Sequence, residues 1–304
     1  MNADHEAAPA TMVDPTAATV PADTEELQPV DRRPLHRLRL RRIAQQAVAV
    51  MITLFMVMPL YLIALAAFSS RAELNRFPKA FWPRDPSAET LEAFLGATGV
   101  VPAFLNSLIA GIVTILVSSL VGAPAGYAIA RYAFRGRDPF QVFLLLTRSL
   151  PIVVLSVPLA SLFLSVGIYD TIGAVALVHA ALALPTTVLV TASVFIAVPK
   201  DLEEAALVFG CSPYTAFRKV VVPIALPGIA ASSIFTFVLS WNEILAAAVL
   251  TLSHRTLPAQ LMVSLRVSPL AFQFAGGFAL VVPSLLFILV MRRYLLNMSG
   301  STIG

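Results

Sequence analysis

Arg148, His179, Asn242 and Glu243 stand out for their chemistry, because each is ionisable or strongly polar and each lies inside a long apolar run. Such a group is expensive in a bilayer unless it faces a cavity or a partner, so it marks an ion pair, an interhelical hydrogen bond or a polar pathway. Two readings of Arg148 stand: a snorkelling or helix-paired side chain, or a residue that lines a pore or gate. Counted along the apolar runs, Arg148 and Glu243 differ in depth by roughly 12 Å at a rise of 1.5 Å per residue, which argues against a direct pair. His179 lies at a depth closer to that of Glu243. These two, with Asn242, are candidates for one polar cluster, the alternative being separately satisfied interhelical hydrogen bonds. Hydrolytic chemistry has no footing. The lysines are Lys79, Lys200 and Lys219, and none completes a G-x-x-x-x-G-K-[ST] phosphate loop; H-E-x-x-H and G-x-S-x-G are also missing. The chain therefore has no recognisable means of hydrolysing ATP itself. With Cys211 as the only cysteine, neither an intrachain disulfide nor a thiolate metal cluster can form.

A different chemistry, recognition, is written in EEAALVFGCSPYTAFRKVVVP at 203–223, a polar stretch wedged between apolar segments. Asp201 and Glu204 have the spacing of a capping box, so a short helix is expected to start near Asp201, with Ala205 and Ala206 giving it a low-profile face. Gly210 can take the left-handed conformation that ends it. Ser212 can cap a second helix, Pro213 suits its first turn, and Arg218 and Lys219 fall near its end. The expectation is two short helices with a hinge, exposed for something outside the bilayer to grip. Glu203, Glu204, Ala205, Ala206, Gly210, Ser212, Pro213 and Pro223 are its candidate residues.

The surrounding elements must hold these groups in a membrane. The 304 residues are 58% hydrophobic and only 12% charged, about half the charged share of a soluble domain, which is roughly 25%. Apolar runs long enough to cross a bilayer lie near 43–68, 104–130, 140–165, 171–197, 220–250 and 274–291. The fold class is thus all-α, a polytopic membrane protein with six transmembrane helices. Of the 21 Lys and Arg, 14 fall on one side if the N-terminus is cytoplasmic, six on the other, and Arg148 within a span. That bias places both termini and the polar helix pair in the cytoplasm, and it explains the net charge of +4 without nucleic acid. Residues 1–42 read as a disordered cytoplasmic tail ending in a basic juxtamembrane segment, 43–296 as the membrane domain with the polar helices at 200–219 included, and 297–304 as a short cytoplasmic tail. The first apolar run is too long for a signal peptide and lacks a small-residue cleavage pattern, so it is expected to remain as an anchor. Between the first two spans, FPKAFWPRDPS precedes ETLEAFLGA, an extended stretch leading into a short amphipathic helix. Trp82 and Trp241 read as interfacial and packing anchors.

The 203–223 stretch resembles the EAA motif of permease subunits in ATP-binding-cassette importers. Glu204, Ala205, Ala206 and Gly210 match it, and its closing I-x-L-P element is here Val220, Val221, Val222 and Pro223. YAIAR at 127–131, the pair Asp170 and Thr171, and FVLSWNEILAAAVLT at 237–251 are similar to MalG-type permeases of sugar importers. The resemblance covers about residues 55–293. It implies a type I ABC importer permease fold in a bacterial cytoplasmic (inner) membrane, with the coupling helices at 200–219 docked on an ATPase subunit. The implied partners are a second homologous permease subunit, an ATP-binding-cassette ATPase dimer, an extracytoplasmic solute-binding protein and membrane lipid. No cofactor is implied for this chain itself, since ATP and Mg are used by the ATPase. A sugar is the implied solute, with a polyol or glycerol phosphate permease, or a stand-alone membrane carrier, as the alternatives.

Overall fold

A computed structural model describes residues 33–82, 84–263 and 268–299. Of the tail expected over 1–42, residues 1–32 lie outside these, as do the last five residues of the chain. The chain forms two units, 1–54 and 55–304. Helix α1 (Arg33–Ala67) holds the first apolar run, and it includes the basic juxtamembrane segment from Arg33 on. It is followed by α2 (Arg71–Leu74), α3 (Glu89–Leu95), α4 (Val100–Arg131), α5 (Arg137–Thr147), α6 (Ile152–Ser165) and α7 (Ile172–Ala197). The second half runs α8 (Lys200–Val208), α9 (Pro213–Ala216), a π-helical turn (Phe217–Val221), α10 (Val222–Asn242), α11 (Leu245–Leu250), α12 (Leu257–Val263) and α13 (Leu270–Ser299). Among the described residues the only β pairing is an isolated bridge between Ser69 and Pro86.

Among the described residues five helices are long and apolar enough to span a membrane: Arg41–Ala67, Val100–Arg131, Ile172–Ala197, Pro213–Asn242 and Leu270–Arg292. The sixth candidate is the pair α5 and α6, bent by 90°. The expectation of one continuous span over 140–165 is therefore corrected to a broken one. Pro151 explains the break, because it has no N–H to donate and disfavours helical backbone at Leu150 before it. A second correction concerns 220–250. The helix starts at Pro213 and stops at Asn242, where Glu243 turns extended (φ −75°, ψ 124°) before α11 begins. The second helix of the polar pair is thus the first turn of a 30-residue rod.

Within 55–304 the packing centres on α4 and α7, which run parallel. Thr114 meets Ala176 near one end of the pair and Arg131 meets Val198 at the other. Gly122 and Gly126, one helical turn apart, let the backbones approach. A Cβ on Gly126 would lie 2.7 Å from the Ala192 nitrogen and 2.8 Å from the Val188 oxygen. Small residues at a four-residue spacing are the usual device for close packing in lipid, where hydrophobicity gives no drive for helix association. Helix α10 lies antiparallel on α7, with Thr187 and Thr236 hydroxyls 3.2 Å apart. Helix α13 lies on α10 through stacked Phe237 and Phe287 at 4.1 Å. Trp241 is fully buried there, donates its Nε1–H to the Leu280 carbonyl at 2.9 Å, and acts as the packing anchor expected of it.

Candidate functional site

Helix α8 starts two residues earlier than the capping-box reading places it. Pro199 is its N-cap and makes no side-chain cap bond, so Asp201 sits in the first turn, where it complements the helix dipole. The C-terminal end follows the sequence reading closely. Gly210 has φ +86°, Gly210 N–H donates to Leu207 at 3.0 Å, and Cys211 N–H donates to Ala206 at 3.0 Å. This pair of bonds is a Schellman motif, and its left-handed residue is the one type without a steric penalty there. Ser212 then caps α9 by accepting from Thr215 N–H at 3.3 Å, with Pro213 in the first turn.

None of the residues of α8 is buried. Glu204 and Ala205 are exposed and Ala206 is half-buried. Around the turn, Val208, Phe209 and Tyr214 are 85%, 88% and 69% exposed, which makes the tip of the element an apolar knob. Its root is the opposite in character. Phe217 of the π-turn packs against Tyr127 of α4 at 4.4 Å and Phe195 of α7 at 6.0 Å, over buried Val198, Val221 and Ala225. Pro223 follows just after the π-turn, inside the continuous Pro213–Asn242 rod, so the irregular turn falls where its missing N–H interrupts the helical bonding.

Glu203 departs from the rest of the predicted docking set. Its carboxylate turns inward, pairs with Arg131 Nε at 2.9 Å and accepts a hydrogen bond from the Tyr127 hydroxyl. Arg131 also donates from Nη2 to the Val198 carbonyl at 2.9 Å. The first and last residues of YAIAR thus meet the residue that precedes the EAA triplet. Sequence reading used YAIAR only for the family resemblance and did not link it to α8; an Arg closing one apolar run and an acid pair opening the helix after another are the complementary charges that hint at the link.

Of the intramembrane residues, the structure brings together His179 and Glu243 and separates the others. His179, fully buried, lies 3.2 Å from Glu243 through Nε2 and 2.8 Å from Ser240 Oγ through Nδ1. Ser240 in turn reaches Thr114 at 3.4 Å. Glu243 also accepts from the N–H groups of Leu245, Ala246 and Ala247 at 3.0, 3.0 and 3.1 Å, so it caps α11 across the break. Asn242 does not join this cluster: its side chain donates to Val238, one turn back on its own helix, at 2.8 Å. The helix ends between the two: Asn242 keeps the outward direction of the last turn, and the extended backbone at Glu243 lets its carboxylate reach His179 and the start of α11. Arg148 is exposed at the end of α5, beside a cavity of about 150 Å³ lined also by Thr186, Thr236 and Phe235. It has no acidic partner among the described residues.

At the opposite end from α8, Asp170 and Thr171 have separate structural tasks. Asp170, at φ +59°, accepts from Leu252, Ser253 and His254 N–H groups at 2.7, 2.9 and 3.1 Å. Burial pushes its carboxyl up, but the N–H groups of His254, Leu252 and Ser253 outweigh this and hold it below the usual carboxylate range. Thr171 caps α7 through Ala174 N–H at 3.2 Å. The segment between α1 and α3 has a short α2, a loop folded back by Glu73, which accepts from Arg84 and Asp85 N–H groups, and exposed Phe77, Phe81 and Trp82.

Residues 118–297 match the family described as binding-protein-dependent transport system inner membrane component. The trehalose transport system permease protein SugB of Mycobacterium tuberculosis is 31% identical over 208 residues, 66% of this chain and 75% of that one. The arabinooligosaccharides transport system permease protein AraQ of Halalkalibacterium halodurans is 30% identical over 258 residues, 82% of this chain and 90% of its own. Among solved structures, a chain of a bacterial ABC transporter involved in the import of the acidic polysaccharide alginate superimposes with a TM-score of 0.66. It is 20% identical, and the match covers 84% of this chain and 96% of that one.

Proposed function

We propose that this chain, which belongs to the family of binding-protein-dependent transport inner membrane components, is a permease subunit of an ATP-binding-cassette importer for a carbohydrate. It would form half of the translocation pathway, beside a second, related permease, and take its solute from an extracytoplasmic binding protein. Hydrolysis belongs to a separate ATPase dimer, which grips the α8–α9 element. The observation that carries this reading is the contrast within that element: an apolar tip whose Val208, Phe209 and Tyr214 side chains project from the chain, and a root fixed by aromatic packing and an ion pair. The carbohydrate class is supported by relatives named for trehalose, arabinooligosaccharides and diacetylchitobiose. The Lys and Arg bias supports a cytoplasmic position for the element and for both termini.

In this mechanism ATP closes the ATPase dimer, the docked α8 elements move together, and the helices they are tied to open the cavity outward; hydrolysis restores the inward-facing state. ATP and loaded binding protein must favour the same conformation, because a ligand with equal affinity for both states shifts nothing. The test is retention of the ATPase after gentle solubilisation of the assembled transporter. Burying a Phe side chain contributes about 1.5–3 kcal/mol, so Phe209→Asp and Glu204→Lys should each strip the ATPase from a normally inserted chain. Retention at the wild-type level in both variants would refute docking through α8–α9.

A further inference from the structure

Glu203 and Glu204 are adjacent acids on one exposed helix, yet only one of them faces solvent. Glu204 is open to solvent, while the Glu203 side chain is only 14% exposed and its partner Arg131 only 6%. Helix α8 buries no residue of its own. Its hold on the membrane body therefore rests on few contacts: the chain at each end, the aromatic root, and Glu203. Arg131 is the last residue of α4, and its guanidinium holds two points at once, the Glu203 carboxylate and the Val198 carbonyl just before α8. The Tyr127 hydroxyl, one turn earlier on α4, donates to the other oxygen of the same carboxylate. The ion pair and these two hydrogen bonds link a movement of α8 to the end of α4. Without them the nine-residue helix, none of whose residues is buried, is tied to α4 by no side chain of its own that reaches Arg131 or Tyr127.

We infer that Glu203 is a positioning residue that transmits the movement of α8 to α4 through Arg131 and Tyr127, and that of the two adjacent acids only Glu204 faces the docked ATPase. This rests on the permease reading above and divides the roles within its docking element. Removing the clasp leaves the docking face intact but lets it slip, so ATP is hydrolysed without solute moving.

The experiment uses the full transporter in proteoliposomes, with Glu203→Gln, Arg131→Met, Tyr127→Phe and Glu204→Lys compared for ATPase retention, ATP hydrolysis and solute uptake. Glu203→Gln and Arg131→Met should keep the ATPase, hydrolyse ATP and lose about tenfold in uptake per ATP, the scale of coupling expected within one contact network. Tyr127→Phe should lose less, and Glu203→Gln combined with Arg131→Met should lose no more than either alone. Arg131→Lys, which keeps the charge, should recover part of the ratio. A merely structural role would lower the amount of assembled transporter and leave uptake per ATP unchanged. That result, or loss of the ATPase by Glu203→Gln to the same degree as by Glu204→Lys, would overturn the inference. A wild-type chain that retains no ATPase would instead overturn the permease reading on which it rests.

Discussion

Gly210 shows how much one residue decides at the docking element. Its φ of +86° is open to glycine, and a Cβ there would touch nothing within 4 Å, so any penalty on substitution comes from the backbone alone. A left-handed conformation costs an L-residue roughly 1–2 kcal/mol, less for Asn and more for a β-branched side chain. Gly210→Val should therefore lose most uptake at normal membrane levels, whereas Gly210→Asn keeps much of it. Equal uptake by the two, normalised to inserted protein, would show that the turn conformation is unimportant. Asp170 allows a second test at this scale. Its carboxyl is held below the ordinary value near 4, so the stability it adds is present above that value and fades as pH falls through the lower folded one. The Leu252, Ser253 and His254 amides should stay protected from hydrogen exchange at pH 5, and Asp170→Asn should speed their exchange several-fold at neutral pH.

At the level of elements, the close approach of α4 and α7 is the most exacting contact in the body. Gly126→Val would force its side chain against the α7 backbone, and overpacking of this kind costs typically about 1–3 kcal/mol, which thermal unfolding in detergent should register as a lowered midpoint. Gly173→Ala, where the nearest other side-chain atom is 3.8 Å away, serves as the control. These elements also show where sequence was legible. The cap at Ser212, the left-handed Gly210 and the buried Trp241 follow from local chemistry, which a sequence carries on its face. The break at 148–151 and the stop at Asn242 do not, because hydropathy measures how apolar a run is and not whether it is straight. Pro151 and Glu243 are the residues that interrupt the two runs. The inward turn of Glu203 was equally hidden, since its partner Arg131 lies 72 positions away and only the fold brings them together.

For the whole molecule, the account requires that the α8 end lie in the cytoplasm and that Asp170 and α3 lie outside. In a Cys211→Ser background, Ala88→Cys and Ser253→Cys should react with an impermeant maleimide from outside intact cells, and Arg135→Cys should not. Labelling of Arg135→Cys from outside would reverse the orientation. The central claim is that an ATPase seats on the α8–α9 tip, and Phe209, the most exposed side chain there, reports on it most directly. In the same Cys211→Ser background, Phe209→Cys should be labelled fast in the chain alone and at least about tenfold more slowly once the ATPase is assembled, as expected for a side chain moved into a packed interface. An unchanged labelling rate in the assembled transporter would contradict the account.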